Sequence, residues 1–322
     1  MKAAVYYETG APDVFRYEDV EDPKLHPDGV IVEVEAISIE GGDTLNRLGG
    51  DMTSVPHIVG YQVAGTIRDV GADVTDREVG QRVIASMMSG SHAELVGVPA
   101  SFTWLVPDEL DIVKAACIPV AFGTADDCLF EFGGLQAGES VLVQAGAGGV
   151  GLAAIQLAKR AGATVLATAG SQEKLDRLKE YGLDHGINYR ENDGNFAPTV
   201  KELTNGQGVN LVLDSVGTTL AGSVASLAYR GRISYVGNAG RDSQPFDASS
   251  LMMNNQSIHG VFLGMELLMG PRAYANIARL VGEIANGELE VVVDKTFPLS
   301  DAAGAHAYLE DRHAFGRVVL VP

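Results

Sequence analysis

Val141-Leu142-Val143-Gln144-Ala145-Gly146-Ala147-Gly148-Gly149-Val150-Gly151 is the stretch on which the reading of this chain turns. A short apolar run, the mark of a buried strand, breaks into glycines and then opens a helix-forming segment, Val150 to Ala161. Gly146, Gly148 and Gly151 satisfy the spacing G-x-G-x-x-G. The spacing alone is weak evidence. Placed between a strand and a helix it acquires a mechanism, because glycines permit the tight turn and let backbone N–H groups close on a pyrophosphate. Gly149 and Val150 lie in the first helical turn, where the helix terminus adds partial positive charge. A tight strand–helix turn without a ligand is the alternative, and the segments around it weigh against that.

Downstream, the strand Thr164–Thr168 is followed by a polar helix over Gln172–Tyr181 and a strand over Gly186–Tyr189. A helix ending before Thr204, a strand over Val209–Leu213, a helix near Leu220–Tyr229 and a strand over Arg232–Val236 continue the alternation. Strands alternating with helices predict a doubly wound parallel sheet. Upstream the rhythm differs. Val30–Ile39 shows period-two apolar spacing, and similar runs occur near Val63–Val70, Gln81–Ala85 and Ala93–Val98, which suggests a small irregular β-barrel or sandwich. The tail carries an amphipathic helix, Ala273–Asn286, and ends in the strand-like RVVLVP, closer in character to the first part than to the middle. The expectation is an α/β protein in which 1–120 and 262–322 form one domain and 121–261 the other.

The net charge of -19 disfavours a polyanionic partner such as nucleic acid and obliges any anionic cofactor to find a local basic spot. Two cysteines, Cys117 and Cys128, provide no disulfide framework and suit a reducing compartment. The opening MKAAVYYETGAPDVF reads as strand and turn rather than signal peptide, and no apolar run reaches the roughly 18 residues of a membrane span. A cytoplasmic protein without membrane or nucleic-acid partners is expected.

The basic spot has a candidate. Proteins of this pattern that bind NAD carry Asp or Glu at the tip of the second strand, about 20 residues on. Here the tip is Ala167-Thr168-Ala169-Gly170-Ser171, with Lys174 three residues later and Arg177 beyond it. A hydroxyl and a lysine accept a 2′-phosphate that a carboxylate would repel, which favours NADPH over NADH. Glu173 and the solvated run SQEKLDRLKE keep open a reading of Lys174 as an ordinary surface charge.

The segments AGAGGVG, AAVYYETGAPDVF and GRVVLVP together resemble the zinc-free quinone oxidoreductase (zeta-crystallin-like) branch of the medium-chain dehydrogenase/reductase superfamily, end to end. The resemblance implies a GroES-like β-domain joined to a Rossmann domain, with the C-terminal segment returning to the first. It also implies NADPH contacts at Ser171, Lys174 and Tyr189 on the 2′-phosphate side and at Thr124 near the phosphates or nicotinamide ribose. Asp214-Ser215-Val216-Gly217 and Val236-Gly237-Asn238 would lie at strand ends beside the cofactor, with Ser215 and Asn238 as the contacts. Phe262 and Leu263 would present backbone to the carboxamide, and Arg317 would lie near the adenosine phosphate. A homodimer formed edge to edge near Gln256–Leu263 is implied as well.

Zinc-dependent members carry an early Cys, a Gly-His-Glu motif and four clustered cysteines. This chain resembles them poorly there, with Glu40 near the first position and Gly60-Tyr61-Gln62 in place of the motif, so no metal is expected. His57 and His92 read as surface or core residues. Without a Lewis acid an alkoxide is hard to stabilise, whereas a quinone or an activated alkene spreads developing charge by conjugation. In relatives the pocket wall includes the segment matching Ile39–Asp51. Glu40 and Asp43 are the candidate acids there, although Asp43, Arg47 and Asp51 could equally form a structural loop network. A quinone reductase is the leading expectation. Enone reduction comes next, followed by zinc-free alcohol or aldehyde chemistry and a non-catalytic nucleotide-binding role.

Overall fold

Strands dominate the first hundred positions of the computed structural model, which describes residues 1–191, 193–242 and 245–322. The described chain separates into two units, Met1–Val120 with Glu266–Pro322, and Ala121–Met265. In the first, β1 (Lys2–Val5) and β2 (Arg16–Asp19) make an antiparallel ribbon. The long β3 (Gly29–Ser38) is followed by α1 (Gly41–Gly49), β4 (Gln62–Val70), β5 (Arg82–Ser86), β6 (Leu95–Pro99) and β7 (Thr103–Leu105). Two helices, α2 (Ile112–Ala115) and α3 (Ile118–Asp126), lead toward the second unit along the chain.

That unit is built on β8 (Ser140–Val143), α4 (Gly149–Arg160), β9 (Thr164–Ala169), α5 (Gln172–Leu178), β10 (His185–Asn188) and α6 (Ala197–Leu203). It continues through β11 (Val209–Asp214), α7 (Leu220–Ser226), β12 (Leu227–Tyr235) and β13 (Ser257–Gly260). All six strands are parallel, in the order β10-β9-β8-β11-β12-β13. The chain thus winds one way from β8 and then the other way from β11. A ligand crevice lies outside the strand ends where such an order reverses. The helix expected near Leu220–Tyr229 stops at Ser226. Arg230 has a φ of 60°, outside the right-handed helical region, and the chain from Leu227 forms a bulged start to β12.

The remaining elements are α8 (Leu263–Met269), α9 (Pro271–Ala285), β14 (Val293–Pro298), α10 (Ala302–Glu310) and β15 (Arg317–Val321). β15 pairs antiparallel with β3, Val319 opposite Ser38, inside the first unit's seven-stranded sheet. Its alternating Val318 and Leu320 join Val32, Val34, Ile37, Val63, Ile67 and Val83 in one apolar core. The expected α/β class, a GroES-like β-domain with a doubly wound parallel sheet, is the observed one. No helix among the described residues is long and apolar enough to cross a membrane.

Candidate functional site

At the end of β8 the backbone turns through Ala145 with a φ of 53° and enters α4 at Gly148. Three bonds hold this turn against β9. The Ala145 N–H donates to Thr168 Oγ1 at 3.1 Å, the Gly146 N–H to the Thr168 carbonyl at 2.8 Å, and Thr168 Oγ1 to Gln144 Oε1 at 2.7 Å. Two glycines are sterically required. A Cβ on Gly146 would meet the Ala167 methyl at 2.8 Å, and one on Gly151 would stand 2.5 Å from the Ala145 carbonyl oxygen. Gly148, Gly149 and Val150 cap and begin α4, whose inward face, Leu152 to Ala154 with Leu157 and Ala158, is small and apolar enough to pack closely. The amides of this first helical turn have no acceptor within the helix, which gives the terminus partial positive charge.

Ser171 caps α5 by accepting the Lys174 N–H at 3.3 Å, so serine and lysine sit on one turn at the tip of β9. Tyr189 follows β10 and places its hydroxyl against Gly170, where a Cβ would be 3.1 Å from it. Arg190, absent from the expected set, brings its guanidinium to the same glycine, 3.4 to 3.5 Å from that Cβ position. A signal for it was present in the sequence: a second basic residue directly after the tyrosine, in a chain where bases are scarce.

A second feature went unread. Asp214 at the end of β11 is fully buried, and its carboxylate accepts from the Val216 and Gly217 N–H groups, Thr219 Oγ1 and Ser223 Oγ. Ser223 in turn accepts from Gln144 Nε2 at 3.2 Å. One hydrogen-bonded chain therefore ties the loop bearing Ser215 to the glycine turn, so the loop is fixed before any ligand arrives. The Asn238 amide oxygen stands 2.8 Å from the Cβ position of Gly217, and the Ser215 carbonyl accepts the Ala239 N–H. Thr124 is buried in α3, Leu263 is buried at the start of α8, and Phe262 is 59% exposed.

Glu40, Asp43 and Arg317 belong to the other unit. Glu40 is buried at the N-cap of α1, and its carboxylate accepts from Gln62 Nε2 at 2.5 Å, from Ser38 Oγ and from the Arg317 guanidinium. Burial pushes the Glu40 carboxyl up, opposed by the adjoining Arg317. Asp43 accepts the Glu40 N–H at 2.8 Å through one oxygen, while its other oxygen is buried without a partner among the described residues. Burial, aided by the Glu40 charge, drives the Asp43 carboxyl well above the ordinary carboxylate range. Arg47 runs to the Gly10 carbonyl and the Glu310 carboxylate, and Asp51 is exposed, so the expected loop network takes a different form. His57 and His92 are both core residues, and His92 Nε2 meets His306 Nε2 at 3.0 Å.

Arg317 requires a correction. It was expected beside the cofactor's adenosine phosphate, but its guanidinium is buried against Ser38, the Ile39 carbonyl and Glu40. β15 lies in register with β3, and this turns the side chain into its own unit.

The chain matches two family models, an alcohol dehydrogenase GroES-like domain over residues 26–108 and a zinc-binding dehydrogenase over residues 149–283. A 2-haloacrylate reductase from a Burkholderia species is 33% identical over 338 residues, covering 100% of this chain and 99% of the relative. A mycobacterial protein solved with NADPH is 36% identical with a TM-score of 0.95, each chain covered completely. The Escherichia coli quinone oxidoreductase complexed with NADPH is 28% identical, again with a TM-score of 0.95 and complete coverage of both. Some relatives are much longer: this chain, 33% identical, spans 14% of a highly-reducing polyketide synthase from Aureobasidium melanogenum.

The chain belongs to the medium-chain dehydrogenase/reductase superfamily, in its quinone oxidoreductase branch.

Because one matched model of this superfamily describes a zinc-binding dehydrogenase, the donors at the corresponding place need testing. The Glu40 carboxylate is saturated by Arg317, Gln62 and Ser38, and Gln62 offers an amide whose oxygen already accepts the Val120 N–H. The Cys117 thiol is buried, donates to the Val113 carbonyl and is pushed up by burial. No group of three His, Cys, Asp or Glu residues that could hold a metal occurs among the described residues. These residues do not fit a zinc ion, which needs deprotonated, uncommitted donors in tetrahedral array.

Proposed function

We propose that this medium-chain reductase passes hydride to a quinone. At the coarser level the chain is an NADPH-dependent reductase of the medium-chain type. Its residues suit that cofactor. The glycine turn would cradle the pyrophosphate with its backbone amides, its tight course depending on Gly146 and Gly151, and Ser171, Lys174, Tyr189 and Arg190 would hold the 2′-phosphate in an otherwise acidic protein. Thr124, Ser215 and Asn238 would orient the nicotinamide half, with the backbone at Phe262 and Leu263 for the carboxamide. Bound NADPH supplies the hydride.

The observation that carries the choice of acceptor is that, among the described residues, the cation beside Glu40 at the start of α1, Arg317, is committed to Glu40, Ser38 and the Ile39 carbonyl. Arg317 neutralises Glu40, and burial raises the Asp43 carboxyl well above the ordinary carboxylate range. Nothing there offers an uncommitted cation to polarise an isolated carbonyl, so the acceptor itself must spread the charge, as a quinone does. Of the two candidate acids, Glu40 serves as the counter-ion of Arg317, and Asp43 is the carboxyl that burial makes the harder to ionise. The 33% identity to a 2-haloacrylate reductase favours a second reading, reduction of an activated alkene.

NADPH oxidation by the purified protein, measured in parallel with quinone and enone series, tests both. Turnover of quinones is the expected result. Saturated products from enones would move the assignment to alkene reduction. Binding of NADPH without turnover in either series would overturn the hydride-transfer reading in favour of a nucleotide-binding structural or regulatory role. A homodimer is also proposed, formed through β13 at the edge of the parallel sheet. Met252 and Met253 beside that edge are 73% and 87% exposed, and sedimentation of Met253→Asp against the native chain checks it.

A further inference from the structure

We propose that Tyr61 is a catalytic residue whose phenol donates the hydrogen bond to the acceptor's carbonyl oxygen as negative charge develops there. The assignment rests on the hydride-transfer reading above. Tyr61 immediately precedes β4, and its ring lies against the first turn of α1. A Cβ added at Gly42 would come within 2.6 Å of ring atom Cε2 and 3.0 Å of the hydroxyl oxygen. The Gly41-Gly42 pair and Tyr61 therefore fit one another: the glycine clears the space the phenol occupies.

The hydroxyl is uncommitted. Three other tyrosines of the same unit that are at least partly buried all spend theirs: Tyr6 on Asn46 at 2.8 Å, Tyr274 on the Thr103 carbonyl at 2.8 Å and Tyr308 on Asp294 at 2.7 Å. Tyr61, half-buried, has no hydrogen-bond partner among the described residues, and its oxygen is not sealed from solvent. The donors beside Glu40 and Gly41 have their hydrogens in use. Gln62 gives its amide hydrogen to Glu40, Ser38 its hydroxyl to Glu40, Arg317 its guanidinium to Glu40, Ser38 and Ile39, and Thr44 its hydroxyl to the Gly41 carbonyl. A half-buried phenol without a partner is a hydrogen bond waiting for its acceptor.

The surroundings suit that role. Burial, with the nearby Asp43 and Glu40, pushes the phenol well above its ordinary range, so it remains a donor at any working pH. Burial disfavours charge on Asp43 and Arg317 neutralises Glu40, which lessens the negative charge facing an oxyanion. Hydride addition to a quinone ring or to an alkene conjugated with a carbonyl pushes an electron pair onto that carbonyl oxygen. A donor aimed there acts on the transition state more than on the bound substrate.

The test is Tyr61→Phe, assayed with NADPH and a series of quinones and enones of graded electron affinity. The expected result is a kcat about 100-fold lower, as for loss of a single oxyanion donor, with NADPH affinity and Tm unchanged. The loss should shrink as electron-withdrawing substituents stabilise the product oxyanion, a trend that a purely structural tyrosine would not produce. Gly42→Ala, which keeps the hydroxyl but crowds the ring, should reproduce part of the loss. Unchanged kcat in Tyr61→Phe, or a loss equal across the series and matched by a fall in Tm, would overturn the Tyr61 assignment alone. Failure of the native protein to oxidise NADPH with any acceptor would overturn the hydride-transfer reading and this assignment with it.

Discussion

The two units solve the problem of holding polar groups in opposite ways. In the parallel-sheet unit the polar atoms that matter are backbone amides, set in a turn too tight for side chains at Gly146 and Gly151 and pinned from behind by Thr168, Gln144 and Asp214. In the mixed-sheet unit they are buried side chains, Glu40 held by its counter-charge Arg317 and Asp43 by a hydrogen bond from the Glu40 N–H. Backbone amides cannot change charge, so the first arrangement is insensitive to pH and sensitive to volume. A buried ion pair is tolerant of modest volume change and sensitive to the loss of either partner.

The sharpest way to break this contrast is Arg317→Met. It strands Glu40 as an unpaired buried carboxylate and should cost about 3–5 kcal/mol of stability. The double variant Glu40→Gln/Arg317→Met should recover most of that, and denaturant unfolding of the single and double variants decides it. Gly151→Val tests the opposite sensitivity. Its first added carbon meets the Ala145 carbonyl, so stability should fall by about 1–3 kcal/mol, with NADPH binding, followed by fluorescence, lost more steeply than stability.

Lys174→Ala should weaken NADPH by roughly tenfold or more, the worth of one charge-assisted hydrogen bond, while leaving NADH nearly unchanged. The ratio of the two dissociation constants is the measurement. Adding Arg190→Ala should lower the ratio further if both bases share the phosphate.

The remaining expected effects are pH slopes, gradual because they are spread over several pH units. Burial lowers His92 from 6.5 to about 3, so the folded state prefers the neutral ring. Its contribution is complete above pH 6.5 and is lost as pH falls toward 3, at up to about 1.4 kcal/mol per pH unit. Asp43 has the reverse sign. Its folded carboxyl is raised, so its contribution is complete below the ordinary carboxylate range and declines as pH rises through the raised value. Asp43→Asn should therefore gain stability over the native chain with rising pH, a trend that Tm measured across pH will show or refute.

The glycine turn, the alternation of strands and helices after residue 121, and the lysine at the β9 tip were all legible because each depends on residues close in sequence. So was the apolar alternation of β3, whose Glu33 and Glu35 alone face solvent. Arg190 was legible in principle, lying beside Tyr189, but adjacency in sequence does not say that both reach back to Gly170. The buried Asp214 chain was not legible, because its members come from three strand ends and a helix.

Arg317 shows most clearly where reading along the chain stops. A basic residue opening a C-terminal strand carries no mark of its partner, and only the antiparallel register of β15 on β3 brings it to Glu40, 277 positions away. Tyr61 and Gly42 meet in the same manner, through the packing of α1 against the start of β4. By itself the sequence determined the fold class, the dinucleotide turn and the character of the cofactor, since these rest on local periodicity, backbone freedom and the scarcity of positive charge. The tertiary structure alone decided which carboxylate is neutralised, which is made harder to ionise and which hydroxyl is left without a partner, because burial and long-range pairing set those conditions.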